Sequence, residues 1–205
     1  MKRSLLWRTL QIPARIGTSL WFDLKVYGIE NVPETGPALL IANHQSYLDP
    51  ILVAVRLRRP VSYFAKSELF ENPFLGWLIR SLHAFPVRQG AGDVGAVREL
   101  LHRLEEGHVM NVYPEGHRTP DGQVGQIQRG IGLVLRKVHV PVIPIAIDGS
   151  FEAWPHGSKL FHPHRIRVMY GKPMHLDGLK GDEIVNAVGD TLRSMLAELR
   201  SRKCD

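Results

Sequence analysis

The chain contains a single cysteine and no long uninterrupted hydrophobic run. Cys204 lies one residue from the end of the 205-residue sequence, so an internal disulfide and a cysteine-based zinc site are both excluded, and a reducing compartment is favoured. A membrane-spanning helix needs about 20 mostly apolar residues, whereas the first 22 residues are interrupted by Arg8, Pro13 and Arg15. We therefore expect neither a transmembrane span nor a signal peptide.

Two common catalytic motifs are also missing. The phosphate-binding pattern G-x-x-x-x-G-K-[ST] does not occur, and neither does G-x-S-x-G, which presents a catalytic serine on a sharp turn. P-loop kinase and serine hydrolase functions therefore lose their usual support. No low-complexity stretch, linker or internal repeat divides the sequence, which is long enough for one sizeable core.

The charge balance is basic, with 26 Lys and Arg against 20 Asp and Glu. This excess favours an anionic partner, whether a phosphate group, a phospholipid surface or a nucleic acid, although a solvated basic surface gives the same count. Residues 1–22 form an amphipathic segment in which apolar residues, Trp7 among them, alternate with Lys and Arg. That mixture suits the interfacial layer of a membrane, and the alternative is a helix packed on the domain.

Short apolar strands alternate with amphipathic helices along residues 23–205. The predicted strands are 24–30, 38–42, 61–65, 109–113, 141–147 and 165–170, and the predicted helices are 50–57, 93–106, 130–138 and 182–200. Asp49 is expected to cap the helix that begins at Pro50. The alternation predicts one α/β domain in which helices flank a mostly parallel or mixed central sheet.

The sequence NHQSYLD, residues 43–49, directly follows a buried strand. Ligands of open α/β sheets usually bind at the carboxyl ends of the strands. His44 and Asp49 are five positions apart, so they do not share a helix face and can meet only if the chain turns between them. A carboxylate on one ring nitrogen would fix the tautomer, leaving the other nitrogen to accept a proton from a hydroxyl group. Ser46 is expected to serve as a turn or capping residue.

Two further stretches carry features of a substrate site. YPEGHRT, residues 113–119, again follows a strand; Gly116 permits a tight turn, and Arg118 has the side chain best shaped to bind a phosphate. The segment KSELFENPFLGW, residues 66–77, places Lys66 beside an apolar, aromatic stretch. Either stretch alone is more simply interpreted as an ordinary turn or an ordinary core helix.

Together these stretches resemble the glycerolipid acyltransferase family, typified by bacterial 1-acyl-glycerol-3-phosphate acyltransferases. NHQSYLD is similar to the family's N-H-x-x-x-x-D block, and KSELFENPFLGW with the following FPVR is similar to its second block. YPEGHRT resembles the P-E-G-x-R-[ST] block, and VPVIPIAI, residues 140–147, resembles the hydrophobic fourth block. With KVYGIENVP and MYGKPM, the resemblance runs from Lys25 to Met174. Four motifs in the right order are far more specific than one.

The resemblance implies an O-acyltransferase that moves a fatty acyl group from acyl-CoA or acyl carrier protein to the sn-2 hydroxyl of lysophosphatidic acid. By this resemblance His44 is the general base and Asp49 orients it. The implied acceptor-phosphate site consists of Lys66, Arg88, Glu115, Gly116 and Arg118. No metal and no cofactor are implied. The implied location is the cytoplasmic face of a membrane, and the implied partner is an anionic membrane surface. The segment around Trp7 and Arg8 and residues 70–77 are the candidates for contact with the lipid.

One departure and several alternatives remain. The family often has a Phe-Lys pair before a glycine downstream of its third block, whereas this chain has Ile127-Gln128-Arg129-Gly130, so its cation is shifted by one position or is a plain surface charge. His156, His162 and His164 are interpreted as an exposed loop rather than a metal site. The alternatives to the implied function are another lysolipid acceptor and a non-catalytic membrane-binding module. Nucleic-acid binding is not expected because no recognised motif accompanies the basic charge.

Overall fold

A seven-stranded mixed sheet forms the centre of the molecule. The computed structural model describes residues 5–87, 94–155, 157–158 and 160–202. Its strands are β1 (Lys25–Tyr27), β2 (Ala38–Ala42), β3 (Ser62–Lys66), β4 (Ala84–Val87), β5 (Val109–Val112), β6 (Val142–Asp148) and β7 (Arg167–Tyr170). Their spatial order is β1-β7-β6-β2-β5-β3-β4. All neighbouring strands are parallel except β6 and β7, which confirms the predicted α/β fold with a mixed sheet.

The apolar strands are buried because helices and loops cover both faces of the sheet. Every residue of β2, β5 and β6 is buried, as expected for the central strands of a mostly parallel sheet; the buried polar residues among them are Asn111 of β5 and Asp148 of β6. Successive side chains point to opposite faces, so Leu40 of β2 packs in one core layer and Leu39 and Ile41 pack in the other. The result is a rigid platform whose central strands end where the NHQSYLD and YPEGHRT motifs begin.

Seven α-helices surround the sheet in the part of the chain that the structure describes, with two 3-10 helices at Ile29–Asn31 and Ser67–Phe70. The α-helices are α1 (Leu5–Phe22), α2 (Asp49–Ala54), α3 (Pro73–Ser81), α4 (Val94–Glu105), α5 (Gly130–Leu135), α6 (Ser150–Ala153) and α7 (Gly181–Ser201). The longest, α7, buries one face against the sheet through residues that include Ile184, Val188, Leu192 and Leu199. Its spacing of three and four residues is that of an amphipathic helix.

Strand β4 was not predicted as a strand. It contains Pro86, which cannot donate a backbone hydrogen bond, and it lies at the edge of the sheet, the position where a strand tolerates proline. The link from β4 to α4 includes a G-x-G-x-x-G pattern over residues 90–95. A lone match to that pattern is a weak signal, and most of it lies outside the described residues.

The amphipathic N-terminal segment is helical and packs on the domain. Trp7 is 6% exposed, so the prediction that Trp7 contacts a membrane is wrong. Gln11 and Arg15 donate side-chain hydrogen bonds to the carbonyls of Val55 and Leu57, which fix α1 against the end of α2. Within the described residues, no helix combines the length and the apolar character that a membrane crossing requires.

The outer face of α1 is nevertheless apolar. Ile12, Ile16, Leu20 and Trp21 are all more than half exposed. Ile12, Ile16 and Leu20 follow one another at intervals of four residues and form one stripe, and Trp21 adds an exposed aromatic ring at the end of the helix. On α3, Phe74 is 73% exposed and Trp77 is 55% exposed. Both aromatic side chains therefore face outward rather than into the core. Their contact with lipid stays a prediction.

Candidate active site

The functional motifs meet at one edge of the sheet because they follow parallel strands. Strands β2, β5, β3 and β6 run in the same direction. Their carboxyl ends lead directly to His44, Glu115, Ser67 and Ser150, respectively. Ligands of open α/β sheets usually bind at such an edge, so the arrangement itself marks the candidate site.

His44 and Asp49 form the predicted pair. Nδ1 of His44 lies 2.7 Å from Oδ2 of Asp49, a short distance that is typical of a hydrogen bond to a carboxylate. The Asp49 side chain is fully buried, whereas the His44 side chain retains 18% of its exposure. In a neutral imidazole, a carboxylate acceptor beside Nδ1 keeps the ring proton on that nitrogen and leaves Nε2 as the proton acceptor.

Asp49 is held by four donors. Its Oδ2 accepts from the backbone N–H of Gln45 at 2.6 Å and of Ser46 at 2.8 Å, in addition to His44. Its Oδ1 accepts from the hydroxyl of Ser150 at 2.7 Å. The prediction that Asp49 caps the helix at Pro50 is wrong, since Asp49 is itself the first residue of α2. Its carboxylate instead points back and closes the turn that follows β2.

Ser46 has the turn role that the sequence predicted. Its hydroxyl accepts from the backbone N–H of Leu48 and donates to the carbonyl of Trp154. Ser46 is 1% exposed, so its oxygen is not open to a substrate. These contacts favour His44 rather than Ser46 as the reactive side chain of the motif.

Glu115 ties the two motifs together. It is 1% exposed, and its two oxygens accept separate backbone hydrogen bonds, from His44 N at 2.9 Å and from Gly125 N at 2.8 Å. Burial raises the pKa of the Glu115 carboxyl, although the backbone donors of His44 and Gly125 oppose the shift. Thr119 adds a second link, since its N–H donates to the carbonyl of His44 at 2.7 Å. Both peptide groups around His44 are therefore clamped by the YPEGHRT loop.

The imidazole of His44 lies flat on the ring of Tyr113. The ring centroids are 3.9 Å apart and the planes differ by 16°, which is a stacked arrangement. Burial raises the pKa of the Tyr113 phenol well above its usual range, and the nearby Asp49 carboxylate adds to the shift. Tyr113 therefore stays neutral and acts as a platform that, with Asp49, fixes the plane of the imidazole.

The residues predicted to bind phosphate occupy different environments. Lys66 is the last residue of β3 and is exposed. Arg118 is half-buried, and its guanidinium carbon lies 3.6 Å from the ring centroid of Tyr47. Gly116 adopts the left-handed conformation, with φ of 76°, which confirms the predicted tight turn. Arg88 lies outside the described residues. The buried Glu115 holds backbone groups, and its role at the phosphate stays a prediction.

The stretch that departs from the family pattern packs against the third motif. The N–H of Gln128 donates to the carbonyl of Pro114 at 2.9 Å, and its side-chain amide donates to the carbonyl of Glu115 at 3.3 Å. Gln128 therefore lies beside the Gly116 turn, whereas the following cation, Arg129, is exposed at the start of α5. Within the described ranges, no group of three or more His, Cys, Asp and Glu side chains could hold a metal ion. His156 falls outside those ranges.

Two residues of the site were missed from the sequence. Ser150 directly follows the loop after β6, so the rule that located His44 and Glu115 could also have found it. Trp154 packs against Tyr47 with ring centroids 5.5 Å apart, and its indole N–H donates to Ser158 O at 2.9 Å. No local sequence signal links Tyr47 to Trp154, which lie about a hundred positions apart in sequence, so only the folded structure reveals their contact.

The chain is similar to known acyltransferases. Residues 23–148 match the family model described as Acyltransferase. The chloroplastic 1-acyl-sn-glycerol-3-phosphate acyltransferase of Arabidopsis thaliana is 30% identical over 189 residues, which cover 90% of this chain and 51% of that protein. The enzyme of the same name from Bacillus subtilis is 27% identical over 188 residues, covering 90% of this chain and 92% of that protein. The chain thus spans about half the length of the plant relative.

A solved structure has the same architecture. The crystal structure of the 1-acyl-sn-glycerophosphate (LPA) acyltransferase from Thermotoga maritima superposes with a TM-score of 0.81 at 27% identity. The match covers 95% of this chain and 80% of that one. The family match covers more than half of the sequence and includes both His44 and Asp49. The chain therefore belongs to the acyltransferase family and has the fold of an acyltransferase enzyme.

Proposed function

We propose that this protein transfers a fatty acyl group from an acyl thioester to the sn-2 hydroxyl of lysophosphatidic acid, giving phosphatidic acid. The donor is acyl-CoA or acyl carrier protein. Relatives from a plant plastid and from Bacillus subtilis carry the name of this activity. The single observation that carries the proposal is the 2.7 Å hydrogen bond between His44 and Asp49 at the carboxyl edge of the sheet.

The reaction starts with removal of a proton from the acceptor. Nε2 of His44 takes the proton of the sn-2 hydroxyl as the oxygen attacks the thioester carbonyl carbon, forming a tetrahedral intermediate. The intermediate collapses with cleavage of the carbon–sulfur bond, and the proton on Nε2 passes to the departing thiolate. An alcohol is a poor nucleophile without such a base, and positioned base catalysis contributes typically ~10²–10⁴-fold to a rate.

Asp49 assists without taking the proton. The imidazolium formed during the attack is stabilised by the adjacent carboxylate, which also keeps the proton on Nδ1. Four hydrogen-bond donors fix the carboxylate in a fully buried position, so its charge does not have to reorganise as the imidazolium forms. Electrostatic stabilisation by such preorganised groups is a large part of enzymatic catalysis.

Cations at the same edge of the sheet as the pair support a phosphate-bearing acceptor. Arg118 precedes Thr119, whose N–H donates to the carbonyl of His44, so the Arg118 backbone lies next to the pair. A guanidinium binds phosphate through two parallel hydrogen bonds. Lys66 is exposed at the end of β3 on the same edge of the sheet. We assign the acceptor phosphate to these two cations and to Arg88.

The proposed partner is an anionic membrane surface, and the proposed location of the protein is the cytoplasmic face of that membrane. The exposed apolar residues of α1 replace Trp7 as the candidate for insertion into the interfacial layer; they are Ile12, Ile16, Leu20 and Trp21. The formal net charge of +6 adds electrostatic attraction to anionic lipids. Flotation with vesicles tests this: we expect co-flotation with phosphatidylglycerol vesicles, weakened in a Leu20→Glu variant, and equal recovery of the two proteins would contradict it.

An acyl-transfer assay with several acceptors distinguishes the proposed function from its alternatives. Purified protein is incubated with labelled acyl-CoA or acyl carrier protein and with lysophosphatidic acid, lysophosphatidylcholine or monoacylglycerol. We expect labelled phosphatidic acid as the main product. Preferred acylation of another lysolipid would replace the acceptor and keep the reaction. Transfer to none of the acceptors from either donor would exclude the enzyme and favour a membrane-binding module with the same fold.

A further inference from the structure

An aromatic side chain inside the first motif contacts the arginine of the third motif. Tyr47 lies three residues after His44, and its side chain is 56% exposed. The guanidinium carbon of Arg118 lies 3.6 Å from the centroid of its ring. This distance places the cation directly on the ring face, where the negative quadrupole of the ring attracts it.

The Tyr47 ring beneath Arg118 is itself held by a second aromatic side chain. Trp154 packs against Tyr47, with centroids 5.5 Å apart and planes at 53°. Trp154 is fixed by its own contacts, since its N–H donates to Ser158 O and its carbonyl accepts from Ser46 Oγ. Tyr47 is therefore a braced platform in spite of its exposure, rather than a freely rotating surface residue.

Stacking leaves the binding groups of the arginine available. A guanidinium that lies on an aromatic face uses its π surface, and its N–H donors still point outward in the plane of the group. A free arginine side chain must lose its rotamer freedom when it binds an anion, whereas a stacked guanidinium has lost much of that freedom already. Such preorganisation increases affinity without adding a new contact to the ligand.

We infer that Tyr47 is a positioning residue that holds the guanidinium of Arg118 for the anionic head group of the acceptor. The inference rests on the proposed function, because the acceptor phosphate is the ligand of Arg118. Tyr47 acts through Arg118 and not on the reacting atoms. Its removal should therefore weaken acceptor binding and leave the chemical step nearly unchanged.

The test measures acylation kinetics for Tyr47→Leu, Tyr47→Gln and Tyr47→Phe beside the wild-type protein. We expect the two non-aromatic variants to raise KM for lysophosphatidic acid about 2- to 5-fold, as expected for a partly exposed cation–π contact, with kcat within about twofold of wild type. Tyr47→Phe keeps the ring face and should match the wild type. Monoacylglycerol has no phosphate, and its KM should not change in any of the variants.

An Arg118→Ala background separates positioning from a general structural effect. If Tyr47 acts through Arg118, adding Tyr47→Leu to Arg118→Ala raises KM no further, because the two effects are not additive. The inference is overturned if Tyr47→Leu raises KM equally in both backgrounds, if it has no effect on KM, or if Tyr47→Phe behaves like Tyr47→Leu. Absence of any wild-type phosphatidic acid formation is a different result, which overturns the proposed function and this inference together.

Discussion

Replacement of the Asp49 carboxylate by an amide separates the charge of the His44–Asp49 pair from its geometry. In Asp49→Asn the new side chain has one acceptor oxygen and one donor group in nearly the same volume. Its oxygen can take the place of Oδ2 and accept from His44 Nδ1 and from the N–H groups of Gln45 and Ser46. Its amide group then faces Ser150 Oγ.

The surroundings can accommodate this amide. Ser150 Oγ lies 2.7 Å from Oδ1 of Asp49 and 3.1 Å from Oε1 of Gln45. A hydroxyl rotates freely and both donates and accepts, so Ser150 can donate to Gln45 and accept from the new amide. Ser150, Gln45 and one N–H of the new amide then stay paired, and the second amide N–H gains no partner from these contacts. The loss comes from that N–H and from weaker hydrogen bonds to an uncharged acceptor, so we expect the free energy of unfolding to fall by about 1–3 kcal/mol.

The effect on catalysis should be far larger than the effect on stability. A neutral amide does not stabilise the imidazolium that forms when His44 takes the hydroxyl proton, and a flipped amide would donate to Nδ1 and impose the wrong tautomer. The same replacement in the Ser-His-Asp triad lowers kcat by about 10⁴. We expect kcat for acyl transfer to lysophosphatidic acid to fall about 10²–10⁴-fold, with KM within about threefold of wild type.

Asp148→Asn provides the matched control. Asp148 is also a buried carboxylate, and it pairs with Arg167 at 3.0 Å and with Arg200 at 2.9 Å. The control should lower stability by about 1–3 kcal/mol, yet it should keep kcat within about fivefold of wild type at a temperature where it is folded. The catalytic role of the Asp49 charge is ruled out if folded Asp49→Asn retains more than a tenth of the wild-type kcat, or if both variants lose activity in proportion to their stability.

Two other side chains give separate expectations. Glu115→Gln replaces a carboxylate that accepts from two backbone N–H groups by an amide whose oxygen can accept from only one of them. We expect urea titration to show a loss of about 1–3 kcal/mol in unfolding free energy, and we expect kcat to fall. Unchanged values of both would show that the contacts of Glu115 with His44 are unimportant. Burial lowers the pKa of His83, so the unfolded chain binds its proton more readily and stability should fall as pH drops from about 7.5 to 5.5. His83→Asn suits the positive φ of 65° at this position and should make urea midpoints less dependent on pH; an unchanged slope would contradict the assignment.

The sequence predicted those parts of the site that depend on local order. Residues 43–49 follow a buried strand, and His44 and Asp49 lie close together on the turn after it. Their pairing could therefore be predicted from the sequence. The buried role of Glu115 could not be predicted, because its hydrogen-bond partners depend on how the loop after β5 folds over the end of β2. The stack of Tyr113 on His44 depends likewise on two strands that are neighbours in space but about seventy residues apart in sequence.

The fold shows the same division. Short apolar runs predicted β2 and β6, whereas β4 was missed because it has only four residues and contains Pro86, which an edge strand tolerates. Strand order and the antiparallel pairing of β6 with β7 are set by contacts between distant segments, which no local pattern encodes. The membrane contact of Trp7 was predicted wrongly, because an amphipathic pattern does not show which apolar residues pack on the protein and which face outward.

The most direct test of the account is the acyl-transfer rate of His44→Ala beside that of His102→Ala. His102 lies on α4 with its side chain 59% exposed, so its removal controls for the loss of an imidazole elsewhere on the surface. Labelled acyl-CoA or acyl carrier protein and lysophosphatidic acid are the substrates, and circular dichroism establishes that both variants are folded. We expect at least a ~10²-fold loss of rate for His44→Ala and a wild-type rate for His102→Ala. A folded His44→Ala variant that retains the wild-type rate would contradict the assignment of His44 as the general base.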